Sequence, residues 1–190
     1  MDRVESIQHQ FSTNAGSYRT SKYHSKAPDL DALREAAQLK GSERVLDLGT
    51  GTGHTALAVA PGAEHVVGID LTTQMLEQAH QLAQERQITN VTFEEGDAQQ
   101  LAYADDSFDV VTCRVCAHHF ADPAAAVREA TRVLRPGGCV LWVDSVAPED
   151  PAQDTFLNSI ELLRDPSHVR DFSISQWQAM FAEAGLAAEP

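Results

Sequence analysis

Residues 45–54 read Val-Leu-Asp-Leu-Gly-Thr-Gly-Thr-Gly-His, an apolar run that stops at three glycines spaced two apart. The apolar run suits a strand. The glycines permit a sharp turn and a close approach of backbone to a ligand. Helical spacing resumes over residues 52–59 and is stopped by Pro61-Gly62. Short apolar runs then recur at residues 65–70, 91–95, 108–113 and 139–144. Amphipathic helical stretches separate them. One is capped by Thr72 or Thr73 and carries Met75, Leu76, Ala79, Leu82 and Ala83. Another opens at Asp122-Pro123 and carries Val127, Ala130, Thr131 and Leu134. Asp caps a helix and Pro suits its first position. Continuous apolar strands alternating with amphipathic helices predict a parallel sheet covered on both faces, a doubly wound, Rossmann-like α/β fold.

The flanks are less regular. Residues 1–27 are polar with scattered Phe11, Tyr18 and Tyr23, and read as an arm or short helices folding over something. A helix carrying Leu30, Leu33, Ala36, Ala37 and Leu39 follows Pro28-Asp29. Arg135-Pro136-Gly137-Gly138 reads as a tight turn before the fifth strand. Residues 152–165 read as a helix with Phe156, Leu157, Ile160 and Leu163 inward and Asn158, Glu161 and Asp165 on another face. Residues 173–184 read as a final helix with a Ser173–Gln176 capping box, a Phe172–Trp177 staple and Gly185 as its stop.

At 190 residues one domain is expected: an arm and helix over 1–43, a core over 44–144 and a helical segment over 145–190 that walls the substrate. The formal charge of −14 repels phosphate backbones, so nucleic acid is not the expected partner. No apolar run approaches the roughly 20 residues of a membrane helix. The first 25 residues lack a hydrophobic signal core, so a cytoplasmic location is expected. Cys113, Cys116 and Cys139 are too few for a disulfide framework. Cys113 and Cys116 form a CxxC, which reads first as buried packing, since one pair cannot fill a tetrahedral metal site.

Chemistry concentrates at the strand ends. A dinucleotide loop wants G-x-G-x-x-G, but here the third glycine comes one residue early, and Asp47 precedes the first by two positions. A carboxylate there repels a pyrophosphate and attracts an ammonium or sulfonium, so a zwitterionic or cationic nucleoside is favoured. Asp70 ends the second strand, where a ribose diol can be held, and Asp97 follows the third.

With residues 45–53, 66–70, Gly96-Asp97-Ala98, Ser107-Phe108-Asp109 and 132–138 in this order, the chain resembles class I S-adenosylmethionine-dependent methyltransferases. The closest likeness is to the ubiquinone/menaquinone-biosynthesis group (methyltransferase type 11). The resemblance implies strand order 3-2-1-4-5, S-adenosylmethionine as cofactor and S-adenosylhomocysteine as product. It also implies roles. Asp47, Gly49 and Gly51 surround the methionine part, and Asp70 takes the ribose hydroxyls. Leu71 and Met75 pack on adenine, Asp97 accepts from its amino group, and Ala98 supplies an amide. Arg114 offers its backbone near the cofactor's amino group, and Tyr18 belongs to the closing arm. The family completes its sheet with an antiparallel strand pair, for which residues 186–190 are too few. The expectation is a truncated chain, or a fifth strand covered by its following helices or a partner.

Methyl transfer needs alignment of nucleophile, methyl and sulfur, and an O or N acceptor can also need a base. His118 and His119, just past strand four, are the candidate acid/base residues. A metal site from His118, His119, Glu161 and His168 is set aside because these residues lie far apart in the chain. The expected acceptor is a small molecule, and a homodimer is compatible with this reading. The alternatives are a non-catalytic cofactor-binding regulatory subunit and, behind it, an NAD-dependent oxidoreductase.

Overall fold

The computed structural model describes residues 3–189; Met1, Asp2 and Pro190, at the ends of the expected domain, lie outside it. Its five strands are β1 (Arg44–Leu48), β2 (His65–Asp70), β3 (Val91–Glu95), β4 (Phe108–Arg114) and β5 (Leu134–Val143). They form one all-parallel sheet in the order β3-β2-β1-β4-β5, with Leu48 level with Ile69 on one side and Cys113 on the other. The doubly wound, Rossmann-like reading and its strand order are therefore borne out.

The period of two along each strand splits the core. Val45, Val66 and Val110 face α4 (His54–Val59) and α5 (Thr73–Glu85). Leu46, Leu48, Val111 and Cys113 face α6 (Pro123–Val133) and α8 (Ile174–Glu183). Leu46, Leu48, Val127 and Val133 are fully buried, each side chain contributing about 1.5–3 kcal/mol. Asp122 caps α6 by accepting from the amide of Ala125, and the α8 capping box forms on both sides.

Three expectations are corrected. The helix after the glycine loop starts at His54, because Gly53 sits in the left-handed region at φ 82° and cannot join it. Residues 135–138 belong to β5, where the pairing with β4 shifts register. An added Cβ on Gly138 would lie 2.5 Å from the Asp109 carbonyl, so the glycine serves a bulge against a close neighbour strand. The third concerns α7 (Pro151–Arg164). Phe156 is 68% and Leu163 85% exposed, whereas Asn158 turns inward. Its amide donates to the Asp171 carbonyl, and its oxygen accepts from the Asp171 amide at 2.7 Å. Irregular backbone at 165–173 must find partners, and the polar face of α7 supplies them at the expense of the apolar stripe.

The N-terminal segment is helical: α1 (Arg3–Thr20), α2 (Lys22–Lys26) and α3 (Pro28–Ala36). Polar contacts tie α1 to α5 and the turn before it, through Gln8 to the Leu71 carbonyl, Ser12 to Gln74, and Arg19 to Gln81 and Glu85. Among the described residues β5 has no strand partner beyond β4, and no helix is long and apolar enough to cross a membrane.

Candidate functional site

Parallel strands deliver their carboxyl ends to one edge, and a crevice opens there above β1, β2 and β4, roofed by α1 and α2. Tyr18, Gly49, Gly51, Asp70, Leu71, Met75, Asp97, Ala98, Arg114 and His119 all line it; Asp47 and His118 do not. The empty space is about 980 Å³ with its open mouth included.

Asp47 is buried behind the glycine loop. Thr112 and Thr50 donate their hydroxyls to its two oxygens at 2.6 Å each. Burial pushes it up to about 6 against these bonds. Its role in this structure is to hold the loop through Thr50. Gly51 follows at φ 53°, a backbone conformation that disfavours any side chain, and its added Cβ would meet nothing within 4 Å. A side chain there would project into open space, so the glycine keeps a cradle clear.

Asp70 is pinned by backbone. Its oxygens accept from the amides of Gly51 and Thr72, both at 2.9 Å. Burial raises its pKa in spite of these bonds. Each oxygen keeps acceptor capacity, which two neighbouring hydroxyls would fill. One oxygen of Asp97 holds the amide and side chain of Gln99 at 2.8 and 3.0 Å.

Arg114 shows a feature the sequence reading missed. Its guanidinium is buried and paired with Asp29 of α3 at 2.6 Å, and it donates to the His24 carbonyl at 3.2 Å. Its Nη2 is buried with no partner, as is Nδ1 of His54, whose other nitrogen lies 3.3 Å from the Tyr18 carbonyl. Both residues line the crevice. The Arg114 nitrogen is a donor, and a buried donor lacking a partner carries a desolvation penalty that an anionic group in the crevice would relieve; Nε2 of His54 donates to the Tyr18 carbonyl, which leaves its Nδ1 an acceptor. The available signal was a cation at the end of an otherwise apolar strand.

The two histidines are separated by their surroundings. Asp144 grips His118 twice, at Nδ1 (2.6 Å) and at its backbone amide (3.0 Å). Burial alone would depress His118, but the bond and charge of Asp144, with Asp171 and Asp165 adding, leave it raised. His119 is buried in the crevice wall, its ring edge-on to Phe11 at 4.9 Å. Burial, then the neighbouring His118, pushes it down to about 4. Its Nδ1 lies 3.1 Å from the Ser167 carbonyl, which can only accept, so the proton belongs on Nδ1 and Nε2 carries the lone pair. Among the described residues no group of three or more His, Cys, Asp or Glu is placed to hold a metal.

These shifts have a consequence for stability. His24 and His119 are both pushed from 6.5 to about 4, chiefly by burial. The unfolded chain takes up protons on both through this window and the folded chain does not. Their contribution is present above 6.5 and lost as pH falls toward 4. Asp47, raised from 3.8 to about 6, opposes them: its contribution grows as pH falls through that interval. His54 and His168, also lowered, act with these histidines, and Asp70 and His118, both raised, act with Asp47; melting temperature is expected to fall from pH 7 to pH 4.5, and His119→Gln to flatten the slope. An unchanged slope in melts of the variant would contradict the assignment.

Comparison with known proteins places these features. A family model described as a methyltransferase domain matches residues 39–185. The chain is 49% identical over 177 residues to the methyltransferase YcgJ of Bacillus subtilis, covering 93% of this chain and 70% of that one. The YcgJ crystal structure superposes with a TM-score of 0.82 at 50% identity, over 83% of this chain and 68% of that one. Identity to the demethylmenaquinone methyltransferase of Deinococcus radiodurans is 38% over 154 residues, covering 77% of this chain and 63% of that one.

Proposed function

The chain belongs to the S-adenosylmethionine-dependent methyltransferases, and from that membership we propose that it moves a methyl group to a small-molecule acceptor, with His119 as the acid/base residue. The observation that carries the proposal is the meeting, in one crevice, of the Asp70 carboxylate, the unpartnered Arg114 donor and a neutral His119. Two relatives whose names give an acceptor, a demethylmenaquinone and a 27-O-demethylrifamycin SV methyltransferase, support the small-molecule class.

The cofactor supplies an electrophilic methyl on a sulfonium sulfur. The crevice fits it on three counts: open acceptor capacity at Asp70, space above Gly51, and an orphaned cationic donor at Arg114. Asp70 would hold the ribose hydroxyls. Leu71 and Met75 would pack on adenine, Asp97 would accept from its amino group, and Ala98 would present its amide. Gly49 and Gly51 would flank the methionine part, with Asp47 supporting them through Thr50. The Arg114 guanidinium would meet the methionine carboxylate, a side-chain role added to the backbone role that resemblance implies. Tyr18 and Phe11 on α1 close the roof and exclude water. His119 Nε2 would take the acceptor's proton, and His118, fixed by Asp144, acts on it only as a neighbouring charge.

Ligand titration tests this reading. S-adenosylhomocysteine is expected to raise the melting temperature strongly, a hundredfold excess over Kd stabilising by about 2.7 kcal/mol. NAD should leave it unchanged. Methylthioadenosine, which lacks the amino-acid tail, should bind more weakly, and Arg114→Met should erase that difference while Asp29→Asn preserves it. Equal stabilisation by NAD, or an intact tail preference in Arg114→Met, would contradict the assignment.

A further inference from the structure

The CxxC read as packing acquires a second property in three dimensions. Cys113 is fully buried at the end of β4, whereas Cys116 lines the crevice, and their sulfurs lie 3.3 Å apart. Val115 between them sits at φ 53°, a left-handed conformation rare for a β-branched residue, and this turn folds Cys116 back over Cys113. A disulfide requires a separation of about 2.05 Å, a small closure from here. Cys139 is no competitor. It pairs with Val110 while Trp142 pairs with Cys113, so it lies three residues down the sheet, about 10 Å from the pair.

We propose that Cys113 and Cys116 form a reversible thiol–disulfide exchange site reached through the crevice, with low-molecular-weight disulfides as its oxidant. Cys116, the accessible thiol, loses its proton and attacks the oxidant. The oxidant's S–S bond breaks, a mixed disulfide forms and one thiol leaves with a proton. Cys113 then loses its proton and attacks the Cys116 sulfur, the mixed disulfide breaks and the second thiol leaves. The two protein thiols give up two electrons and two protons, which convert the oxidant into two thiols. Burial raises the pKa of Cys113, and that of Cys116 is also raised, so exchange is slow at neutral pH and quickens as pH rises.

The closure reaches the glycine loop. Cys116 Sγ donates to the Leu48 carbonyl at 3.3 Å, and an added Cβ on Gly49 would lie 2.6 Å from that sulfur. Drawing Cys116 toward Cys113 breaks that hydrogen bond to Leu48, the residue that leads into the loop, and shifts the sulfur that lies close against Gly49. Oxidised protein is therefore expected to bind S-adenosylhomocysteine at least tenfold more weakly. A bound cofactor is expected to shield Cys116; this and the weakened binding rest on the cofactor reading, whereas the disulfide itself does not.

The test uses the full chain with Cys139→Ser, which removes the exposed thiol. The protein is incubated with oxidised glutathione at pH 8.5, with and without saturating S-adenosylhomocysteine, then denatured, alkylated and mapped by mass spectrometry. Without ligand, both thiols are expected to resist alkylation and to share one disulfide-linked peptide, reversed by dithiothreitol. With ligand, formation should slow at least tenfold, and Cys116→Ser should leave Cys113 alkylatable. Two alkylatable thiols after oxidation, or a glutathione adduct on Cys116 beside a free Cys113, would overturn the site. Equal rates with and without ligand would overturn access through the crevice. A parallel melt, reporting whether S-adenosylhomocysteine binds at all, separates that result from failure of the cofactor reading.

Discussion

Asp70→Ala is expected to weaken S-adenosylhomocysteine binding by at least a hundredfold. A carboxylate accepting two ribose hydroxyls makes two hydrogen bonds to a charged group, each contributing about 1.5–3 kcal/mol, so about 3 kcal/mol is the lower bound. The substitution also removes the partner of the Gly51 and Thr72 amides, which Asp70 now satisfies at 2.9 Å each, so the loop loosens as well. Asp70→Asn separates the effects in part. Its single carbonyl oxygen can serve one of the two amides, and its NH₂ then meets the other donor to donor. Calorimetry below the variant's melting temperature measures the affinity directly. A dissociation constant within threefold of wild type would remove Asp70 from the cofactor site.

The second large effect falls on turnover. His119→Ala is expected to lower kcat by about a hundredfold or more, the range of a positioned general base. Affinity for S-adenosylhomocysteine should stay within threefold, because the ring reaches the crevice wall without supporting the loop. A neutral imidazole with its proton fixed on Nδ1 by Ser167 can accept at Nε2 across the physiological range, its own titration lying near 4. His118→Gln probes the same arrangement. Loss of that neighbouring charge should let the His119 pKa rise, visible as a shifted imidazole resonance in an NMR titration. Unchanged kcat in His119→Ala would eliminate the base assignment and leave alignment as the residue's contribution.

These expectations show which parts of the site were legible in residues alone. The parallel core was, because β1, β2 and β4 are buried on both faces and read as largely apolar runs. Asp70 and Asp97 stood out as charges at the ends of such strands. What escaped was set by partners distant in the chain. Asp47 looks like a crevice carboxylate until Thr112, 65 residues away, claims it. Arg114 reads as a strand end until Asp29, 85 residues earlier, fixes its guanidinium. The outward turn of Phe156, Ile160 and Leu163 on α7 reflects the hydrogen-bonding demand of residues 165–173, a stretch with no periodicity to announce it. The β5 bulge carries turn residues, and only the closeness of Asp109 to Gly138 shows why they sit within a strand. His118 and His119 are adjacent and chemically identical in sequence; Asp144 on one and burial on the other push their pKa values in opposite directions.

The central claim is transfer of a methyl group to a small molecule. The most direct measurement incubates the chain with methyl-labelled S-adenosylmethionine and a fractionated metabolite extract, and follows the label. Label is predicted to enter the small-molecule fraction with wild type and to fall by about a hundredfold with His119→Ala. Label confined to protein or nucleic acid would contradict the account. So would tight cofactor binding with no transfer to any fraction, which is the behaviour of a regulatory cofactor-binding subunit.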